Sequence, residues 1–434
     1  MLMRMMADLS IQTKPWNPFQ KFAFRYLFSY LFLYIFPFPF NEIPFVNWLT
    51  IPWDWFATTL VSCSSSYIFH IAPDKSHMAT GSGDQLFRWI ELATYAGISL
   101  PIAIIWSALD KKRKNYARLF SLLRLWSMLF VSSNMLGYGA SKIIPSQFPP
   151  IHDYWQLTER VGDMSPMGIL WTFMSASAPY TIFTGIVETV TGILLALPPT
   201  MILGALLSIA VSVQLVMFNM CYDVPVKILS LHLLILSCVI VSPEISQLLR
   251  IFILRTPGKQ KLFAVPTIFK RGKLNITLWL IIWIFLAVHF VFSLMRSEHS
   301  YRTYTKGSTE SGSLVGTWTV KSVQSDNGDQ QKYFDKWQTL SISGQKYASV
   351  SFSNGEKVWL TSKISDDQKE VDLSGKQSGW SMHCEVERPD PEHIVLSSSS
   401  NGGKTTIHCE RWQPADFLLL NRGFHWVNET PFNR

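Results

Sequence analysis

The sequence predicts an α-helical membrane bundle of about seven transmembrane helices, followed by a small antiparallel β-barrel or β-sandwich domain. Apolar residues make up 48% of the 434 residues and charged residues only 16%, well below the roughly 25% charged residues of soluble domains. Long apolar runs separated by short polar patches extend to about Leu294, and from Ser297 onward the chain is rich in Ser, Thr, Gly, Lys and Asp. This change of composition divides the chain into a membrane part and a soluble part.

The membrane part contains seven apolar segments of nearly sufficient length to cross a bilayer. A transmembrane helix needs about 20 mainly apolar residues to cross about 30 Å of hydrocarbon. The predicted spans are Phe22–Phe40, Trp89–Leu109, Leu119–Tyr138, Tyr180–Leu197, Met201–Met220, Val226–Val241 and Leu274–Leu294. A shorter apolar stretch, Met167–Ala178, is bracketed by Pro166 and Pro179 and is interpreted as a re-entrant or interfacial helix.

Basic residues predict the orientation of these spans. They cluster in a leader at residues 1–21 and in the loops after the second and sixth spans, and such clusters mark cytoplasmic loops. We therefore expect a multi-pass protein with a cytoplasmic N-terminus and a membrane domain at 22–296. No small-residue cleavage site follows the first apolar run, which indicates a retained helix. The net charge of +8 follows from these loops, and no nucleic-acid partner is expected.

The soluble part is predicted to begin after a polar linker at residues 297–314 and to form an extracytoplasmic β domain at residues 315–434. Eight short alternating segments divided by turn residues predict strands at Thr317–Val323, Trp337–Ile342, Ala348–Phe352, Val358–Ile364, Glu370–Leu373, Trp380–Glu387, His393–Leu396 and Thr405–Trp412. Eight short strands indicate a small barrel or sandwich. The opening Gly316-Thr317-Trp318 resembles the start of lipocalin-like barrels, in which Arg411 or Arg422 would stack on Trp318.

Two cysteines of the β domain, Cys384 and Cys409, both lie in His-Cys-Glu triplets on segments predicted to be neighbouring strands. An extracytoplasmic domain permits a disulfide between them, and two buried free thiols are the alternative. None of the five cysteines forms a Cys-x-x-Cys pair. Neither a thioredoxin-type redox motif nor a zinc site is therefore predicted.

Polar residues inside predicted spans are candidate functional residues, because ionisable groups in hydrocarbon are costly and mark functional sites. Glu188 lies in the fourth span, Gln214 in the fifth and His232 in the sixth. Glu188 and His232 on facing helices would form a proton-accepting pair, or ligate a quinone carbonyl or a metal. The alternative is a hydrogen-bonded pair that fixes helix packing.

A second group of polar residues lies at the predicted outer ends of the spans. It comprises Asp84 in Thr80–Asp84, Lys142 and Gln147 after the third span, Glu159, Arg160 and Asp163 in the next loop, and Asp223 and Lys227 between the fifth and sixth spans. The topology predicts that this group converges on one membrane face, where it would bind a polar head group. The alternative is a set of interfacial salt bridges and helix caps.

Four stretches of the membrane part are similar to DoxX-like membrane proteins: Gly137–Phe148, Gly162–Gly168, Phe183–Glu188 and Tyr222–Lys227. The similar region extends over about 81–243. The resemblance implies a four-helix core flanked by further helices in a bacterial inner membrane. It is closest to large members with an added C-terminal domain that ends in Asn421–Trp426.

The DoxX-like resemblance implies a quinone- or lipid-binding accessory subunit of a redox complex, with membrane lipid and a redox protein as partners. A disulfide-exchange role, known for some relatives, lacks its dithiol here. The chain also lacks a Walker-type loop, a Gly-x-Ser-x-Gly motif and a His-Glu-x-x-His motif. The competing hypothesis is a non-enzymatic membrane anchor that displays a β-barrel domain for binding a lipid or a partner protein. A transporter is a third, weaker reading, because neither an inverted repeat nor a broken helix pair is evident.

Overall fold

The computed structural model describes residues 15–43, 45–71, 82–151, 154–255, 268–269, 272–309, 313–343, 347–375, 381–400 and 403–430. The chain forms two compact units. The first, called here the membrane unit, comprises Met1–Ile143 and Phe183–Arg296. The second, called the barrel unit, comprises Ile144–Ile182 and Ser297–Arg434.

The membrane helices confirm the predicted spans. The described residues contain seven helices that are long and apolar enough to cross a membrane. The longer helices of the chain are α1 (Pro18–Ile35), α2 (Ile51–Tyr67), α3 (Leu86–Leu109), α4 (Ala117–Ile143), α5 (Pro166–Ala176), α6 (Ala178–Ala196), α7 (Met201–Cys221), α8 (Lys227–Val241), α9 (Ile245–Phe252) and α10 (Gly272–Thr309). The candidate spans lie on α1, α3, α4, α6, α7, α8 with α9, and α10, and the first of them continues beyond α1 to Glu42. The chain is therefore a multi-pass membrane protein.

Local signals explain where two of these helices begin. Asn17 and Gln20 form a capping box at the start of α1, with Asn17 Oδ1 accepting from Gln20 N at 2.7 Å and Gln20 Oε1 accepting from Asn17 N at 3.0 Å. Ser165 caps the short helix α5 by accepting from Gly168 N at 3.0 Å, and Pro166 occupies its first turn. The short apolar stretch is therefore helical, as predicted.

Two segments differ from the sequence prediction. Helix α2 occupies a region that was predicted to be a loop between the first two spans, because its serines and threonines lower its hydropathy below that of a span. Helix α10 continues to Thr309, so most of the predicted linker is helical. The sequence from Ser297 to Lys306 contains neither Gly nor Pro, and Arg302 pairs with Glu298 one turn earlier at 2.5 Å. Polarity alone therefore did not end the helix.

Helix α4 lies at the centre of the membrane unit. Leu123, Met128 and Val131 on this helix are fully enclosed in the apolar core. Ser132 Oγ donates to the Gly192 carbonyl of α6 at 2.7 Å. Hydrogen bonds of this kind, between small residues on adjacent helices, hold membrane bundles together. This packing positions the C-terminal end of α4, where the candidate site lies.

The barrel unit contains a closed antiparallel barrel of eight strands in sequence order, which confirms the barrel alternative. The strands are β1 (Gly316–Ser325), β2 (Trp337–Ile342), β3 (Ala348–Phe352), β4 (Lys357–Ile364), β5 (Glu370–Gly375), β6 (Ser381–Asp390), β7 (His393–Ser400) and β8 (Gly403–Arg411). Pairing of β1 with β8 closes the barrel. Closure leaves no strand edge exposed. Two short helices, α11 (Gly328–Phe334) between β1 and β2 and α12 (Leu418–Asn421) after β8, also belong to this unit.

Large side chains fill the barrel interior. Trp318, Phe334 and Trp337 are almost completely buried, together with Leu340 and Leu396. The rings of Phe334 and Trp337 lie 4.9 Å apart in an edge-to-face arrangement. The described part of the barrel is therefore a packed core, as expected for a small eight-stranded barrel whose interior only just accommodates side chains.

Arg411 is the residue that stacks on Trp318. Its guanidinium carbon lies 4.7 Å from the centre of the Trp318 ring, and its Nη2 donates to the carbonyl oxygens of Ser313 and, at 2.8 Å, of Val315. Arg422, the other candidate, instead donates to Asn428 Oδ1 at 3.0 Å. The Gly-x-Trp opening and Arg411 therefore close one end of the barrel together.

The loop between α4 and α5 belongs to the barrel unit. Glu159 Oε2 lies 3.8 Å from Lys357 Nζ at the start of β4, and the Arg160 guanidinium lies against Gly355 in the β3–β4 turn. Burial lowers the pKa of Lys357, and the Glu159 carboxylate acts in the opposite direction. The contact requires an even number of membrane crossings between these residues. Helices α6, α7, α8 and α10 supply four.

The two cysteines of the barrel are free thiols, and both are buried. Strand β7 lies between β6, which carries Cys384, and β8, which carries Cys409. The prediction that they lie on neighbouring strands was wrong, because the strand predicted at His393–Leu396 pairs with both of the others and separates them. Burial raises the pKa of each thiol to about 12.

We expect Cys384 and Cys409 to resist a water-soluble maleimide in the folded protein at pH 7.4. A pKa near 12 instead of about 8.5 lowers the thiolate fraction roughly 10³-fold, and burial slows access further. Site-resolved mass spectrometry after timed labelling measures this, with Ser353→Cys in the exposed β3–β4 turn as a fast-reacting control. Unfolding without reductant is expected to expose both thiols. Failure to label them under that condition would show that they form a disulfide.

Candidate functional site within the membrane helices

A lysine and a glutamate form an ion pair inside the membrane unit. Lys142 Nζ of α4 lies 2.6 Å from both carboxylate oxygens of Glu188 on α6. The two side chains are only 7% and 4% exposed. The Tyr138 ring lies beside the pair, with its centre 5.6 Å from Nζ. This arrangement offers a strong cationic donor, an anionic acceptor and an aromatic face in one place.

Two glycines explain why these side chains meet. A Cβ atom at Gly139 would lie 2.9 Å from the Gly185 carbonyl oxygen, and one at Gly185 would lie 2.8 Å from the Gly139 carbonyl oxygen. Helices α4 and α6 therefore approach with their backbones in contact, as small residues permit in membranes. Lys142 and Glu188 each follow one of these glycines by three residues, almost one helical turn. The close crossing thus places both charged groups at the same level.

His232 on α8 has partners of its own. Its Nδ1–H donates to the Ile228 carbonyl at 2.7 Å, so Nε2 accepts from the Tyr30 hydroxyl of α1 at 2.7 Å. The Tyr34 ring stacks on the imidazole with 3.7 Å between ring centres. The predicted pairing of Glu188 with His232 was wrong. Glu188 instead pairs with Lys142 of α4, and His232 hydrogen-bonds to Tyr30 of α1.

Three members of the predicted outer group come together at the start of α8. Asp84 accepts from the backbone N–H groups of Lys227 at 2.7 Å and Ile228 at 3.1 Å. Lys227 Nζ lies 2.8 Å from Asp223 and 3.7 Å from Asp84. A carboxylate at a helix N-terminus satisfies free N–H groups and interacts favourably with the helix dipole. This cluster therefore caps α8, in agreement with the alternative interpretation as interfacial salt bridges and helix caps.

The remaining predicted residues lie elsewhere on the chain. Gln214 is exposed on α7. Gln147 and Asp163 belong to the barrel unit, where Asp163 is exposed. Thr80 and Gly81 lie outside the described residues. The convergence of the whole group on one membrane face stays a prediction, because its members are divided between the two units.

Sequence reasoning missed a second buried ion pair. Arg124 of α4 donates through Nε to the Ile240 carbonyl at 2.7 Å, and its Nη2 lies 3.7 Å from Glu244. Arg124 falls inside the predicted third span, so the rule that selected Glu188 would also have selected it. Arg25 of α1, inside the first predicted span, was missed in the same way: it is buried and donates to the Tyr116 hydroxyl at 2.9 Å.

Metal binding has no support among the described residues, which contain no group of three or more His, Cys, Asp or Glu side chains placed to hold an ion.

The comparisons with known proteins show a similarity over part of the chain. No protein-family model matches the chain, and no solved structure matches it. It is 29% identical over 126 residues to the uncharacterized protein YwoB of Bacillus subtilis (strain 168), a match that covers 29% of this chain and 78% of that protein. This chain is therefore a distant homologue of YwoB over part of its length.

Replacing the cap of α8 is expected to loosen the start of that helix. Asp84→Ala removes acceptors for two backbone N–H groups and is expected to lower the free energy of unfolding by about 1 kcal/mol. Hydrogen exchange should accelerate at Lys227 and Ile228. Asp223→Asn is the matched control, because this side chain is 83% exposed and asparagine tolerates the left-handed backbone of this position, where φ is 51°; the substitution is expected to change stability by less than about 0.5 kcal/mol. Equal effects of the two substitutions would contradict the capping role.

Proposed function

We propose that the membrane unit binds a lipidic ligand with a hydrogen-bonding head group, and that a quinone is the ligand class its polar residues suit best. Under this proposal the chain is an inner-membrane accessory subunit of a redox complex, with its barrel outside the cytoplasm. The observation that carries the proposal is the buried ion pair of Lys142 with Glu188, 2.6 Å apart inside the helical unit.

Stability alone is a weak reason for such a pair. Removing two charges from water costs several kcal/mol per ion, and apolar residues of similar volume often serve a buried position as well or better. Ionisable residues within membrane spans are accordingly associated with substrate, ion or proton binding. A functional role explains the presence of this pair better than a purely structural one.

The chemistry of the pair suits a quinone head group. The Lys142 ammonium would donate to a carbonyl oxygen, and the Glu188 carboxylate would accept from the hydroxyl of the reduced form. The Tyr138 ring would lie beside the head group. His232, whose hydrogen bonds are those of a neutral imidazole, is a second group able to take up a proton. The resemblance to DoxX-like proteins, which are associated with a quinone-linked oxidase, also supports the proposal.

The test is native mass spectrometry with lipid and quinone extraction, on protein purified in mild detergent. The variant Lys142→Met/Glu188→Met removes the pair and leaves no charge unpaired. Its matched control is Arg124→Met/Glu244→Met, which removes another buried ion pair of the same unit. Thermal unfolding of both double variants establishes that they are folded.

A stoichiometric quinone is expected in the wild-type protein and in the Arg124/Glu244 variant, and its loss is expected in the Lys142/Glu188 variant. Wild-type protein that carries only bulk phospholipid would refute the proposal. Equal quinone content in all three proteins would place the ligand elsewhere in the membrane unit.

A second candidate function is a membrane anchor that displays the barrel for binding a lipid surface or a partner protein. One observation favours it: the barrel interior is filled, whereas Phe424 and Trp426, near the C-terminus, are 75% and 90% exposed. Exposed Trp and Phe beside polar residues are typical of membrane interfaces. The test measures tryptophan fluorescence of the wild-type protein and of Trp426→Phe in nanodiscs with and without brominated lipid. The difference between the two proteins is the emission of Trp426 alone. Quenching of that emission would indicate a lipid contact.

A further inference from the structure

An amide interrupts an apolar row on the exposed side of α7. Leu203, Ala210, Gln214, Met217 and Cys221 are all exposed, and their spacing places them on one face of the helix. Gln214 lies seven residues before the end of the helix, or about 10 Å at 1.5 Å per residue. The amide therefore lies within the part of α7 that crosses the hydrocarbon.

This amide has no hydrogen-bond partner within the described part of the chain. The other members of the row are apolar or only weakly polar. Lipid chains offer neither a donor nor an acceptor, so an unpaired amide in this position is unfavourable. The position requires a partner that can both donate and accept.

We propose that this face of α7 is the contact between two copies of the chain in the membrane. A glutamine amide is self-complementary, because it has two N–H donors and a carbonyl acceptor. Two Gln214 side chains related by a two-fold axis can therefore satisfy each other. Ala210, one turn earlier, is small enough to let the two helices approach closely. A two-fold contact of this kind is the commonest symmetry of homo-oligomers.

Cys221 supplies a natural reporter for the contact. Both copies insert with the same topology, so the two α7 helices run parallel and residues of the same number meet beside the axis. Cys221 follows Gln214 by seven residues on the same face, and it is exposed. Its two copies are therefore close enough for crosslinking in the proposed dimer.

The first experiment oxidises the full-length protein in nanodiscs or native membranes with copper(II)–phenanthroline. As two thiols join, two copper(II) ions accept the two electrons and the buffer takes up the two protons. A disulfide-linked dimer is expected, and Cys221→Ser is expected to abolish it. Cys63→Ser is the matched control, since Cys63 is also an exposed cysteine and its loss should leave the crosslink intact. A crosslink that survives Cys221→Ser would overturn the proposed contact.

The second experiment measures dimer dissociation in lipid by energy transfer between labelled copies. Gln214→Leu is expected to weaken the dimer about 3- to 30-fold, the range for interhelical hydrogen bonds of this kind in membranes. Val190→Leu, at an exposed apolar position of α6, is the control and should leave dissociation unchanged. A wild-type protein that stays monomeric at high protein-to-lipid ratios, or a dimer insensitive to Gln214→Leu, would overturn the proposal.

Discussion

Replacing Lys142 with methionine is expected to lower the free energy of unfolding of the membrane unit by about 3–5 kcal/mol, the cost of leaving a buried charge without its partner. The Glu188 carboxylate is only 4% exposed, so water cannot replace the ammonium group. Equilibrium unfolding in mixed micelles of increasing denaturing-detergent content measures the change. Glu188→Met should have an effect of similar size, because it strands the ammonium group instead.

The double variant Lys142→Met/Glu188→Met distinguishes the cost of an unpaired buried charge from the cost of changed side-chain packing. Replacement of both members of a buried pair by apolar residues is often neutral, or stabilising by about 1–4 kcal/mol. We therefore expect the double variant to recover most of the stability that either single variant loses. If the double variant were as unstable as the sum of the two single variants, the pair would not interact, and the proposed geometry would be wrong.

Gly139→Ala is expected to have the second-largest effect, a loss of about 2–3 kcal/mol through overpacking of the α4–α6 crossing. The new methyl group would lie 2.9 Å from both the Gly185 carbonyl oxygen and the Thr189 backbone nitrogen. Both contacts are to backbone atoms, so no side chain can rotate away, and the helices must separate. Separation would also lengthen the ion pair one turn beyond.

Gly97→Ala is the matched control for this substitution. Gly97 also lies within a membrane helix, α3, but a Cβ atom there would meet nothing within 4 Å. Alanine should leave stability unchanged or raise it by up to about 1 kcal/mol, because it is the better helix former. Equal destabilisation by Gly139→Ala and Gly97→Ala would show that the α4–α6 backbone contact does not exist.

The candidate site was only partly predictable. Glu188 and His232 were identified because a charged or imidazole side chain in a long apolar run stands out locally. Their partners were not identified, since Lys142 is 46 residues from Glu188 and Tyr30 is 202 residues from His232. A signal for the first pair was present, however. Gly139 precedes Lys142 and Gly185 precedes Glu188 by the same three residues, as expected where two helices cross on glycines and place charged side chains side by side.

The assignment of the α4–α5 loop to the barrel unit was not predictable either. Glu159 and Lys357 are separated by almost half of the chain, and each is an ordinary charged residue in its own local sequence. Nothing in the composition of the loop distinguishes a segment that packs on the barrel from one that remains at the membrane. Only the folded arrangement of the barrel unit brings the two side chains together.

The amino-acid sequence by itself determined most elements of the part of the chain that the structure describes: the seven apolar helices and the eight strands. These follow from short-range physics, because the length of an apolar run decides whether a helix can cross a membrane, and strict alternation decides whether a strand can cover a core. The tertiary structure alone decided which polar residues meet. Lys142 pairs with Glu188, Asp84 caps α8 and Cys384 lies two strands from Cys409, because such contacts depend on helix crossings and strand order, which no local pattern encodes.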